Sequence, residues 1–213
     1  MTTKRRGRPR SFDRRAALEQ AMTAFWEHGY ETTSVSDLTG AMGISAPSLY
    51  AAFGDKRTLF EEVVEAYAVA YGAFGDKALA EEPTARDALA RMLKEAADAF
   101  TDPSHPRGCL VISSAINCSN PEVAEALRER RNRSLASFEA RIRRGADAGE
   151  LPGDTDTGAL ARLCGAVLQG MSQQARDGAT REELKAVAEA AMGAWPVAHG
   201  DGKAPETPAG RGA

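Results

Sequence analysis

No run of this 213-residue chain approaches the roughly 18 consecutive apolar residues that a membrane-spanning helix needs. The N-terminus carries charge with no apolar segment behind it, so neither an anchor nor a signal peptide is expected, and the chain reads as cytoplasmic with no membrane partner. Cysteine is scarce: Cys109, Cys118 and Cys164 are odd in number and lack paired spacing, which argues against a secreted disulfide framework. His28, His105 and His199 are scattered, and no C-x-x-C or H-x-x-x-H spacing occurs, so no metal and no cofactor are expected. The signatures G-x-S-x-G, H-E-x-x-H, P-loop and G-x-G-x-x-G are missing, and Ser113 and Ser114 have no base nearby in sequence, so catalysis is not expected.

What is present is an ordinary folding mixture, 43% hydrophobic and 27% charged, in a length that suits one compact unit or a small domain fused to a larger one. Apolar positions recur at three and four residues, Ala, Leu, Glu and Arg dominate, and β-branched alternation is rare, so the fold class expected is all-α. Helices are predicted over about 13–28, then after a Ser34 cap, after a Ser45 cap, and from near Asp55 through Tyr71. Further segments are expected at about 84–100, 108–116, 121–148, 157–178 and 180–194, punctuated by proline, glycine and asparagine.

The net charge of −3 hides an asymmetry. Residues 1–60 carry nine Lys/Arg against six Asp/Glu, a local +3, which leaves −6 for the remainder. Within the first fifteen residues, Lys4, Arg5, Arg6, Arg8, Arg10, Arg14 and Arg15 face only Asp13. Such an arm suits a polyanion, although solvated basic tails without a partner have the same composition.

The two short helices joined through Gly43, behind a longer one, match a helix-turn-helix, whose second helix enters the major groove. If Leu49 and Phe53 bury, then Ala46, Pro47, Ser48, Tyr50 and Ala51 are partly or wholly exposed; the small side chains among them allow close approach to DNA, and Tyr50 adds a hydroxyl. Ser34 and Ser45, with nearby Thr32 and Thr33, and Lys56 are the candidate phosphate contacts. Arg6, Arg8 and Arg10, interleaved with Gly7 and Pro9, could follow a narrow minor groove. A comparable helical trio also occurs in proteins that never touch nucleic acid; the basic arm is the independent feature that favours double-stranded DNA as the partner.

Residues 32–60 run Thr-Thr-Ser-Val-Ser-Asp-Leu-Thr-Gly-Ala-Met-Gly-Ile-Ser-Ala-Pro-Ser-Leu-Tyr-Ala-Ala-Phe-Gly-Asp-Lys-Arg-Thr-Leu-Phe. With Gly29-Tyr30, Thr33, Gly43, Leu49-Tyr50, Phe53 and Lys56 at their spacing, residues 11–60 resemble the DNA-binding signature of the tetracycline-repressor (TetR/AcrR-like) family of bacterial transcription regulators. The resemblance implies a homodimer of helical subunits, each with an N-terminal DNA-reading domain and a C-terminal domain that binds an inducer and dimerises. The division expected is a basic arm at 1–10, a helix-turn-helix domain at 11–54, a ligand-binding and dimerisation domain at 55–195 and a disordered tail at 196–213. Ala51-Ala52 departs from the larger basic or aromatic pair many members carry, which shifts the expected readout toward van der Waals contacts and the arginine arm.

Residues 61–195 hold no equally specific motif. An inducer cavity is expected among Tyr67, Tyr71, Phe74, Met92, Phe100, Ile112, Ile116, Asn117, Phe138 and Gln169, each of which could equally be plain core. Two apolar stripes, Leu160, Leu163, Cys164, Val167, Leu168 and Met171, then Leu184, Val187, Ala188, Ala191 and Met192, are candidates for a four-helix dimer interface or for the subunit's own core. Cys109 and Cys118, with Arg107 beside the first, allow oxidant sensing if a depressed thiol pKa is realised. The arginines 128, 130, 131, 133, 141, 143 and 144 read as a solvated face, because Glu129 with Arg133 and Glu139 with Arg143 stand at i,i+4. The function expected is a repressor that leaves a palindromic operator when a small-molecule inducer binds. The alternatives are a helical protein-interaction adaptor with a basic tail, or a regulator responding to thiol oxidation.

Overall fold

A computed structural model describes residues 12–115 and 117–198, and among these the chain is entirely helical. The order is α1 (Arg14–His28), α2 (Val35–Met42), α3 (Ala46–Phe53), α4 (Lys56–Tyr71), α5 (Ala73–Glu81), α6 (Ala85–Phe100), α7 (Leu110–Ser113), α8 (Pro121–Asp147), α9 (Thr157–Arg176) and α10 (Arg181–Gly193).

Each of the first four helices starts at a side chain that accepts from free backbone N–H groups. Asp13 accepts from Arg15 and Ala16, Ser34 forms a reciprocal capping box with Asp37, Ser45 accepts from Ser48, and Asp55 accepts from Thr58. The turn between α2 and α3 needs Gly43, whose φ of 65° lies in the left-handed region that other residues enter at a cost. Pro47 sits in the first turn of α3, where a missing N–H loses no helical bond.

Two apolar clusters form behind this punctuation. One gathers Phe25, Trp26, Leu38, Leu49, Phe53, Phe60 and Val63 from α1–α4, but it also takes in Leu110 and Val111 of α7 and Val123 and Leu127 of α8. The other lies in the C-terminal bundle, where α6 packs against α5, α8, α9 and α10. Between them runs a polar and aromatic seam. Trp26 donates its indole N–H to the Gly108 carbonyl at 3.2 Å and stacks on His105 with centroids 4.4 Å apart. Arg176, the last residue of α9, donates to the carbonyls of Trp26 at 3.1 Å and Glu27 at 2.9 Å, satisfying acceptors at the C-terminal end of α1. Gly108 is wedged there: a Cβ would lie 2.8 Å from the Ser172 carbonyl oxygen and 2.9 Å from Arg176 Cγ, and its φ is +79°.

Three expectations need correction. Helix α5 was not expected; it begins at Gly72 without a side-chain cap and carries Gly75, so tertiary packing against α6 holds it. The segment expected at 108–116 is helical only over Leu110–Ser113, and Ile116 lies outside the described residues. Arg141 does not belong to a solvated face: it is buried and its guanidinium donates to the carbonyls of Glu82 at 3.2 Å and Pro83 at 3.0 Å. The pairs Glu129–Arg133 and Glu139–Arg143 do form on the surface of α8. The expected arm, 1–10, lies outside the described residues, as does the expected tail from residue 199; residues 196–198 carry no helix.

Candidate nucleic-acid interface and cavity

Helix α3 is held by its inner side. Leu49 is fully buried and Phe53 nearly so, while Tyr50 is 50% exposed. Pro47 and Ala51 are exposed, and Ala46 and Ser48 are half-buried. Arg14 of α1 fixes the far end of α3: its guanidinium lies 4.4 Å from the Phe53 ring centroid, donates to the Ala52 carbonyl at 3.2 Å and pairs with Glu62 of α4 at 2.8 Å. Sequence reading left Arg14 within a general basic cluster, because a contact across 48 residues has no local signature.

The expected phosphate contacts divide. Ser45 is exposed, its hydroxyl 2.9 Å from that of Ser48. Ser34 is exposed too, with its hydroxyl already donating to the Asp37 carboxylate at 2.6 Å; that bond holds the Asp37 carboxyl below the usual range. Thr33 is corrected: it is fully buried and its hydroxyl donates to the Gly29 carbonyl at 2.6 Å, so it ties the end of α1 to the start of α2 and presents no side chain to a phosphate. Lys56 holds its ammonium 4.2 Å from the Tyr30 ring centroid. Burial lowers its pKa, opposed by Glu31, Cys118 and Asp37 in that order. Arg6, Arg8 and Arg10 lie outside the described residues.

A cavity of about 220 Å³ opens among α4, α5, α6, α7, α8 and α9. Of the expected inducer contacts it brings together Tyr67, Phe74, Met92, Phe100, Ile112, Phe138 and Gln169. Tyr71 instead faces a separate cleft beside Trp26 and His105, and Asn117, in the left-handed region at φ 54°, lines neither. Sequence reading missed Cys109, Arg130 and Arg131 in the wall. Burial pushes the Cys109 thiol up, while the Tyr67 hydroxyl, the Ile112 and Val111 N–H groups and the Arg130 charge pull it down. Arg107 takes no part; its guanidinium bonds to the Ala179 carbonyl, so the neighbour expected to activate this thiol is engaged elsewhere. Cys118 donates its thiol to the Asn120 carbonyl at 3.6 Å. Among the described residues no cluster of three or more His, Cys, Asp and Glu could hold a metal ion.

The two stripes expected at an interface are largely consumed inside the protomer. Leu160, Cys164, Met171, Leu184, Ala188 and Met192 are buried in the C-terminal core and have little or no surface left for a partner. Leu163 remains 44% exposed, and Val167, Leu168, Val187 and Ala191 are half-buried.

Two family models match the chain: "Bacterial regulatory proteins, tetR family" over residues 17–63, and "Tetracyclin repressor-like, C-terminal domain" over residues 84–192. The HTH-type transcriptional repressor ComR of Escherichia coli (strain K12) is 37% identical over 196 residues, covering 91% of this chain and 93% of that protein. The HTH-type transcriptional repressor BdcR of the same strain is 29% identical over 183 residues, covering 85% and 88%. Among solved structures, a cysteine mutant of the TetR family transcriptional regulator CifR, complexed with 26-bp double-strand operator DNA, superposes with a TM-score of 0.83 at 45% identity, covering 89% of this chain and all of that one. No described helix of the present chain is long and apolar enough to cross a membrane.

Proposed function

This chain belongs to the tetracycline-repressor (TetR) family of bacterial regulatory proteins, and from that premise we propose that it is a repressor that binds a palindromic operator as a homodimer and leaves it when a small molecule binds. The observation that carries the reading is the stance of α3: Leu49 and Phe53 hold it from within while Pro47, Tyr50 and Ala51 remain free on its outer side. A helix so mounted can lie in the major groove, with Ser45 and Lys56 on flanking phosphates and Tyr50 and Ala51 against base edges. The names of ComR and BdcR as repressors, and the operator complex of CifR, support the sign of regulation and the partner.

In this reading residues 11–54 read DNA and residues 55–195 receive the ligand and dimerise, with Leu163 and the half-buried Val167, Val187 and Ala191 supplying the interface. A two-fold dimer would set its recognition helices about 34–36 Å apart on successive turns of the duplex. The cavity borders α4, which begins directly behind the recognition helix. A ligand that binds the DNA-incompetent spacing more tightly would release the operator, with a coupling of roughly 1–3 kcal/mol.

The test is a fluorescence-anisotropy titration against the DNA flanking the protein's own gene. Tight binding that weakens steeply as salt rises, with one dimer per palindrome, is the result expected. Binding no tighter than to random duplex at the same salt would sink the reading.

A further inference from the structure

The wall of the cavity is mostly carbon, with Phe74, Phe100 and Phe138 supplying its aromatic surface. Into it α8 sends two consecutive arginines whose situations differ. The Arg130 guanidinium pairs with Glu65 at 2.7 Å, which answers its charge. Arg131 has no such answer: its Nη1 is buried and makes no hydrogen bond, and no described carboxylate pairs with the side chain, including that of Asp76, which also lines the cavity. A guanidinium stays protonated under any physiological condition and offers five N–H donors in a planar fork, so a buried unbonded nitrogen is a standing deficit of an acceptor. Burial, with repulsion from Arg128, lowers the pKa of this side chain, consistent with a cation that lacks its counter-charge.

Space and chemistry together restrict what could supply that charge. A dry cavity of about 150 Å³ is known to hold one benzene ring, so about 220 Å³ leaves room for one ring or short chain plus a small head group. Planar carboxylates match the arginine fork with two parallel bonds. We propose that the cavity binds a small organic monocarboxylate, its carboxylate paired with Arg131 and its apolar body lying against Phe74, Phe100 and Phe138. The assignment rests on the ligand-responsive reading given above and narrows it to one chemical class. Gln169 and Ser134, exposed at the mouth, are placed to donate to a second oxygen.

Calorimetric titration of the full-length protein with benzoate, phenylacetate and butyrate, each beside its neutral amide, tests this. At least one acid should bind the wild type at least tenfold more tightly than its amide, and Arg131→Met should erase that preference. Arg131→Lys, which keeps the charge and loses the fork, should fall between. Because Arg131 makes no bond within the described residues, Arg131→Met should keep the thermal midpoint of the wild type or raise it. The acid should raise the midpoint of the wild type more than that of Arg131→Lys, and leave Arg131→Met no more stabilised than the amide does. Equal binding of acid and amide, an undiminished preference in Arg131→Met, or no binding of any acid at millimolar concentration would overturn the assignment. Operator binding separates the two readings. An acid held through Arg131 without effect on DNA affinity leaves the site standing and removes its regulatory role; a neutral ligand that releases DNA from Arg131→Met and wild type alike does the reverse.

Discussion

The N-terminal module and the C-terminal bundle are built from the same helical grammar but fixed by different means. In α1–α4 almost every boundary is set within a few residues, by Asp13, Ser34, Gly43, Ser45 and Asp55, so where α3 begins and ends is local, and Arg14 then ties its far end to α1 and α4. Farther along, α6, α8, α9 and α10 also start at side-chain caps, Thr84, Asn120, Asp156 and Thr180, but α5 and α7 have none, and packing against other helices decides where those two lie. The contrast is incomplete at one place: α7 and α8 lend Leu110, Val111, Val123 and Leu127 to the N-terminal core, so the two regions share apolar surface.

That sharing can be broken on purpose. Leu49→Ala removes a fully buried side chain from the N-terminal core and should cost roughly 2–5 kcal/mol. Because the core extends into α7 and α8, chemical denaturation followed by circular dichroism should show one transition shifted as a whole; an early separate melting of the first four helices would show that the regions are independent. Gly108→Ala attacks the seam. The added methyl meets the Ser172 backbone at 2.8 Å in a left-handed conformation, and a loss of about 1–3 kcal/mol is expected, with weaker DNA binding although no DNA contact is touched. Unchanged DNA affinity in that variant would show that the seam does not govern the pose of α3.

Ser45→Ala sharpens the comparison from the local side. It removes the cap of α3 and should cost about 1 kcal/mol of stability. A thermal melt beside Thr84→Ala, which uncaps α6 in the bundle, should show comparable losses, but DNA affinity should fall only for Ser45→Ala. Tyr50→Ala should have the smallest effect on stability, within about 0.5 kcal/mol, because the side chain is half in solvent. Operator affinity, read by anisotropy, should nonetheless drop several-fold; an unchanged value would remove Tyr50 from the interface.

The same division explains what could be read from sequence. Caps, glycine stops and the inward pair Leu49 and Phe53 are short-range features, and the structure places them where the pattern put them. Thr33 misled because its hydroxyl sits among capping residues, yet it is consumed by the Gly29 carbonyl four residues earlier in the connection between α1 and α2. In the bundle, the aromatic residues of the cavity were legible by type, but its cation was not. The pairing of glutamate and arginine along α8 suggested a uniformly solvated face. The missed clue was phase: Leu127, Arg131, Leu135, Phe138 and Ile142 recur at three and four residues, which puts Arg131 on the inner stripe. Arg141 lies three residues past Phe138 and four before Gly145, and is buried with them. The interface stripes divide for the converse reason: a helix apolar over a broad arc can spend most of it on its own subunit, which leaves Leu163 exposed and Val167, Leu168, Val187 and Ala191 half-buried.

The placement of Trp26 gives the molecule a native optical gauge. Its indole is stacked on His105, edge-on to Tyr67 and Tyr71, and bonded to the Gly108 carbonyl, while the other tryptophan, Trp195, is sealed within the opposite core. Emission from the first should change colour and intensity whenever α1 and the 105–108 loop part, with the second as an internal standard, so any such parting can be timed by stopped-flow without attaching a dye.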